Sequence, residues 1–289
     1  MRLTIYSDVN EFYNSTYNLY MRHEAQNLIP LGNVIMGKEG KDKSGWRDPS
    51  NWFMAVVSDD NGALLAALMT PPHNMTLYAK NNAIDEAAVQ CLLAGIMDTV
   101  VPGVIARKDI AKYFAQTYCS AKGMSYETSM DQRIYELTDV NPDIPDIGKM
   151  RLADERDMYF LPYWIEAFNS ASDGADNPLM RIPQDAAAYL YRVEQKKLYV
   201  LEDDGMPVSI AGMTRELQTV CGVAQVYTPP YLRKKGYATS CVAKLSRIIL
   251  ERGFTKCVLY TDLANPISNS IYQKIGYRPI CDSLMLKFV

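Results

Sequence analysis

Apolar and polar residues along this chain switch repeatedly between a repeat of 3.6 and a repeat of 2, the marks of helices and strands. Residues 8–28 read as a helix with Val9, Phe12, Tyr13, Tyr17, Tyr20 and Met21 on one face. Residues 51–68 read as a hairpin, Trp52–Val57 and Ala63–Leu68 about the turn Asp59-Asp60-Asn61-Gly62. Met75–Ala79 is a candidate third strand. A helix follows over 85–100, then a short strand at 103–106. A second helix spans 109–121, stopped by Gly123, and a strand lies at 133–137.

Residues 139–147 are acidic and carry Pro142 and Pro145, the composition of a linker. Beyond it the rhythm repeats. A strand at 149–152 precedes helices over 154–169 and 183–195, then a hairpin of 198–201 and 208–213. A strand over 219–227 is stopped by Pro229 and Pro230, which cannot donate to a ladder. A helix from 237 shows Ala238, Val242, Leu245 and Ile249 at helical spacing and closes at Gly253. A strand at 257–261 and a helix over 265–275 follow, the latter with Asn265 as cap, Pro266 as first residue and Gly276 as stop. The two halves share one order of elements, which points to an internal duplication.

With 289 residues the chain is long enough for two domains. Its 48% hydrophobic and 22% charged residues are globular values. A net charge of −3 argues against a nucleic-acid partner, and no apolar run is long enough to span a membrane. The first residues do not form a secretory signal. The six cysteines lack metal-ligand spacing, so buried free thiols in a reducing cytoplasm are expected, with no metal. Gly32 to Lys38 matches Gly-x-x-x-x-Gly-Lys, but Glu39 stands where a hydroxyl is needed and no strand precedes it. A nucleotide phosphate loop is therefore rejected there, and 40–45 reads as a polar loop.

The strongest chemical signal is Arg233-Lys234-Lys235-Gly236-Tyr237-Ala238, at a helix N-terminus. Free N–H groups and the helix dipole favour an anion there, and Gly236 and Ala238 let a phosphate approach. Together with Asn265 to Tyr277, which contains Tyr272-Gln273-Lys274-Ile275-Gly276-Tyr277, this loop resembles the GCN5-related N-acetyltransferase (GNAT) superfamily. The first stretch is similar to its acyl-CoA loop, Arg/Gln-x-x-Gly-x-Gly/Ala; the second is similar to its Asn followed by Tyr-x-Lys-x-Gly-aromatic signature.

The resemblance implies a mixed α/β fold of the α+β kind. It has two GNAT-like domains, each a mixed, mostly antiparallel sheet flanked by helices. Residues 1–138 would be a degenerate copy, because Ala79 to Asp85 has no such loop; 139–147 would be the linker and 148–289 the acetyltransferase. It implies transfer of acetyl from acetyl-CoA to a small-molecule or peptide amine, by a monomer or homodimer. The diphosphate would sit on Arg233, Lys234, Lys235, Gly236, Tyr237 and Ala238, with Thr239 or Ser240 assisting. The backbone of Val226, Tyr227 and Thr228 would pair with the pantetheine arm and polarise the thioester, and Asn265 would touch the arm. Tyr272 would return a proton to the departing thiolate. The base is open among Glu216, Asp262 and a water molecule. Neither histidine lies near these motifs, which weakens a Ser-His-Asp reading. The rival reading is an acyl-CoA-binding sensor or interaction protein with a disabled site.

Overall fold

A computed structural model describes residues 1–40, 47–173 and 186–289. The chain forms two compact units. The first holds 1–134, 260–265 and 279–289, and the second 135–259 and 266–278. The last strand therefore packs with the N-terminal residues rather than with the segment that follows the linker. Sequence order alone does not disclose that crossing.

In the first unit the strands lie in the order β1 (Arg2–Tyr6), β2 (Phe53–Asp59), β3 (Gly62–Met69), β4 (Met75–Ala79), β5 (Gly103–Arg107) and β12 (Arg278–Phe288), with β6 (Tyr126–Leu137) following. All these registered pairs are antiparallel except β4 with β5. Helices α1 (Val9–Tyr20), α2 (Leu28–Glu39), α3 (Glu86–Gly95) and α4 (Lys108–Lys122) complete it. Its core joins Met75 and Leu92 to a ring stack of Phe114, Tyr118 and Phe288. Each such fully buried large side chain stabilises the fold by about 1.5–3 kcal/mol.

The expected helix over 8–28 divides. Asp8 caps α1 by accepting from the amides of Asn10 and Glu11, and a 3₁₀ turn at Met21–His23 ends it. Gly32 to Lys38 then lies inside α2, so that glycine pattern is a packing feature. A Cβ on Gly37 would come within 2.6 Å of the Trp52 ring. Of the polar loop read at 40–45, residues 41–45 fall outside the described residues. β1 escaped the sequence reading because its mostly half-exposed residues show no buried face, and β6 starts earlier than 133 because its first residues are polar and exposed. Helix α3 ends at Gly95, short of the expected 100.

The second unit orders its strands β11 (Lys256–Asp262), β10 (Val220–Tyr227), β9 (Met206–Glu216), β8 (Leu198–Asp203) and β7 (Lys149–Leu152). β10 and β11 are parallel; the other registered pairs are antiparallel. Alternate residues of β8 serve two cores. Tyr199 and Leu201 join Val242, Leu245 and Ile249 of α7 (Tyr237–Glu251), whereas Leu198 and Val200 join Leu161 and Ile165 of α5 (Leu161–Asp173) and Val193 of α6 (Ala186–Glu194). Helix α8 (Pro266–Ile275) completes the unit. The helix expected over 154–169 begins as a 3₁₀ turn, Glu155–Tyr159, closed by a capping box of Asp154 and Asp157. Pro162 lacks an N–H and its ring crowds the preceding turn, so α5 starts afresh around it. The expected start of α6 at 183–185 lies outside the described residues.

Element order in the two halves of the chain, β1 to β6 and β7 to β12, is the same: strand, two helices, three strands, helix, strand, helix, strand.

Candidate functional site

Strand β10 pairs with β11 only from Val220 to Gly222, opposite Lys256 to Val258. Beyond Gly222 that edge has no registered partner among the described residues. On the other side its register against β9 slips between Ala224, opposite Gly212, and Tyr227, opposite Ile210. Gln225 takes up the slip with φ 55°, a left-handed conformation that costs a side-chain-bearing residue free energy. A bulge beside an open edge leaves main-chain donors and acceptors of Val226, Tyr227 and Thr228 to be met by something else.

The end of the strand is tied down from beneath. The buried Ser209 hydroxyl donates to the carbonyl of Tyr227 (3.0 Å) and lies 2.8 Å from the Thr228 hydroxyl. The Arg233 Nε donates to the carbonyl of Thr228 (3.0 Å), so Arg233 folds back to brace its own loop. The Tyr227 ring lies 5.9 Å from that of Trp164 in α5, and burial pushes its phenol up.

Lys234 (φ 64°) and Gly236 (φ 84°) turn the chain into α7. Gly236 is the cap residue, with no side-chain hydrogen bond to the first turn, so the first amides of α7 have no side-chain acceptor at the cap. A Cβ on Gly236 would meet Ile147 at 2.9 Å. Lys234 and Lys235 are exposed beside it, and Ala238 and Thr239 occupy the first turn. Tyr237 instead reaches the carboxylate of Asp203 (2.6 Å), which raises its phenol. Ser240 corrects an expectation. Its hydroxyl is buried, donates to the carbonyl of Ile147 and accepts from the Ile147 amide, so it clasps the linker and does not face an anion.

Tyr272 is half-buried between Tyr135 (6.4 Å) and Tyr277 (5.9 Å), and desolvation pushes its phenol up to about 12. Asn265 directly precedes α8; its amide donates to the carbonyl of Asp262, whose own carboxylate accepts from Ala264. Asn265 and Asp262 fall with the first unit. Glu216 is a second correction. It pairs with Lys197 at 2.7 Å and stands opposite Cys221, about 16 Å of strand short of Val226. Antiparallel pairing puts the end of β9 beside the start of β10, so this carboxylate is not brought together with Val226 to Thr228.

Sequence reasoning missed Ser209, Asp203, Trp164 and Ile147. Ser209 alone left a trace, as a lone hydroxyl among Val208, Ile210 and Ala211.

The equivalent turn of the first unit is built differently. Helix α3 is capped by Asp85, whose carboxylate accepts from Ala88, and Glu86 adds a second negative charge. Asn81 and Asn82 are both left-handed, and Asn82 exchanges two amide hydrogen bonds with Gln26 (2.8 and 2.9 Å) and accepts from Arg107 at its carbonyl. A cavity lined by Gln26, Thr76, Ile105, Arg107, Tyr260 and Cys281 lies wholly within that unit. Among the described residues no group of three or more histidines, cysteines or carboxylates could hold a metal ion, and no helix is long and apolar enough to cross a membrane.

The sequence model of the acetyltransferase (GNAT) family matches residues 161–277. No curated protein matches the sequence. Solved structures do match in fold. A GNAT-family acetyltransferase from Colwellia psychrerythraea has a TM-score of 0.58 at 12% identity, over 100% of this chain and 99% of that one. A GCN5-related N-acetyltransferase from Sphaerobacter thermophilus has a TM-score of 0.60 at 12% identity, over 99% and 95%. A tandem GNAT protein of the clavulanic acid biosynthesis pathway has a TM-score of 0.55 at 9% identity, over 100% and 98%. The stretch that matches the acetyltransferase (GNAT) family model, residues 161–277, is the one that holds the bulged strand, the cationic turn and the helix of Tyr272.

Proposed function

We propose that the second unit moves an acetyl group from acetyl-CoA to a primary amine of a small molecule or peptide by direct transfer. The observation that carries this is the open head of α7, where uncapped amides from Gly236 onward stand beside Lys234 and Lys235. A diphosphate fits there because it supplies both the acceptors and the charge that the helix end lacks. The pantetheine arm would then run along the open edge of β10 at Val226 to Thr228, as an added strand does. Acetyl-CoA brings the activated acyl group. The chain's part is to hold it, offer an N–H to the thioester oxygen and return a proton to sulfur.

Tyr272 is the proposed proton donor. A phenol at about 12 is a poor acid for an ordinary thiolate near ~8.5. The same desolvation acts on sulfur, however: the buried thiols of Cys241 and Cys257 in this unit are pushed up to about 12. A coenzyme thiolate released into comparable surroundings would be matched to Tyr272. Residues 1–138 are proposed as a copy without a coenzyme site, since Asp85 and Glu86 occupy the helix head that a diphosphate would need.

Titration calorimetry with acetyl-CoA, followed by thiol release across a panel of amines, tests the reading. Absence of binding heat would sink it. A second reading, coenzyme binding without transfer, is favoured by the displacement of Glu216 from the site. It predicts binding heat with no thiol release for any amine.

A further inference from the structure

We propose that Ser209 is a positioning residue for the coenzyme arm, an inference that rests on the acyl-CoA reading above. Its hydroxyl has one proton, given to the carbonyl of Tyr227 at 3.0 Å, and it accepts in turn from the Thr228 hydroxyl at 2.8 Å. Ser209 is on β9, so this bond turns the Tyr227 carbonyl toward β9. In a trans peptide the following N–H points the opposite way. The Thr228 N–H is thereby directed out of the edge of β10 that faces away from β9, where registered pairing has already ended at Gly222.

The next carbonyl is fixed as well, because Thr228 accepts from Arg233 Nε. Two successive carbonyls at the foot of the phosphate turn thus each accept from a side chain, where the register with β9 ends at Tyr227. What they present is one oriented donor between the open strand edge and the head of α7. The ligand chemistry that suits it is an amide carbonyl of an extended chain, here the pantetheine arm at the end nearest the diphosphate. Ser209 touches no ligand; it acts by aiming Thr228. Neighbouring Val208 and Ile210 could not do this, since their side chains carry no donor for the Tyr227 carbonyl.

The test compares two probes by calorimetry: coenzyme A, and its phosphorylated nucleotide diphosphate stripped of the pantetheine arm. In Ser209→Ala, coenzyme A should weaken about tenfold, while the arm-less probe should bind within about twofold of the parent protein. Ser209→Thr, which keeps the hydroxyl, should restore most of the coenzyme affinity. If Ser209→Ala does not fold, Thr228→Val removes the proton that Ser209 accepts and should weaken coenzyme A alone, by a smaller factor. Equal loss for both probes, or no loss for either, would overturn the assignment. If the unaltered protein binds neither probe, the acyl-CoA reading itself fails, which is a separate result.

Discussion

The Ser240 hydroxyl both donates to and accepts from the backbone of Ile147, at 2.8 and 3.1 Å, fastening the first turn of α7 to the linker. Both bonds are lost in Ser240→Ala, leaving the backbone of half-buried Ile147 without these partners. The expected cost is about 1–3 kcal/mol, seen as a fall of several degrees in the thermal midpoint by circular dichroism. Any loss of acetyl-CoA binding should follow only from that loosening, and should be small at low temperature.

Gly236→Ala should act in two ways. The φ of 84° disfavours a Cβ by about 1–2 kcal/mol, and that Cβ meets Ile147 at 2.9 Å. Acetyl-CoA affinity should fall at least about tenfold, because the amides beside it must shift. Gly253→Ala is the control. It has φ 98° with nothing within 4 Å of its Cβ, so it should cost stability by a similar strain and leave affinity unchanged.

Glu216→Gln should alter acetyl transfer by less than about twofold. It breaks a half-exposed pair with Lys197, worth about 0.2–1 kcal/mol, at the far end of the strand pair. A large drop in rate, measured by thiol release, would return Glu216 to the chemistry.

Acetyl-CoA should bind with a stoichiometry of one per chain. The head of α3 already has an acceptor in Asp85 and a repelling neighbour in Glu86. Two coenzymes per chain by calorimetry would show that the Asn81–Asn82 turn yields.

Stability should decline in alkali. Cys221, Cys241 and Cys257 are raised from 9.0 to about 12, and Tyr272 from 10.0 to about 12, in each case chiefly by burial. These folded-state values lie above the unfolded ones, so the contribution is complete below about pH 9. It is lost as pH rises through the window from 9 to 12, because the unfolded chain ionises first. Each tenfold difference in acidity between the two states corresponds to about 1.4 kcal/mol. Denaturant midpoints at pH 8, 9 and 10 should fall in that order. A flat series would mean that the thiols are more hydrated than their burial indicates.

Much of this architecture could be read before any coordinates, and the reasons differ from place to place. The hairpins at 53–69 and 198–216 were visible as apolar runs either side of a polar turn, and helix α7 because its buried face repeats at helical spacing. The cationic turn before α7 was visible because its needs are local: glycine for the backbone and a run of basic residues beside it. β1 and the start of β6 were invisible because exposed strands write no period. The failure over Glu216 has another source, since its distance from Val226 depends on strand direction, which composition does not record. Ser209 could not be singled out because its partners are backbone carbonyls, which every residue possesses.

The last strand adds a practical consequence. β12 joins β5 in antiparallel register, with Leu284, Leu286 and Phe288 in the first core, and Val289 exchanges backbone bonds with Ser125. A protein engineer who cut at the linker and expressed 148–289 alone would obtain a fragment whose terminal ribbon has lost β5 and exposes three greasy side chains, an invitation to self-association. Trimming that ribbon from the intact protein would instead leave β5 with a bare flank, so neither half can be harvested by a single cut.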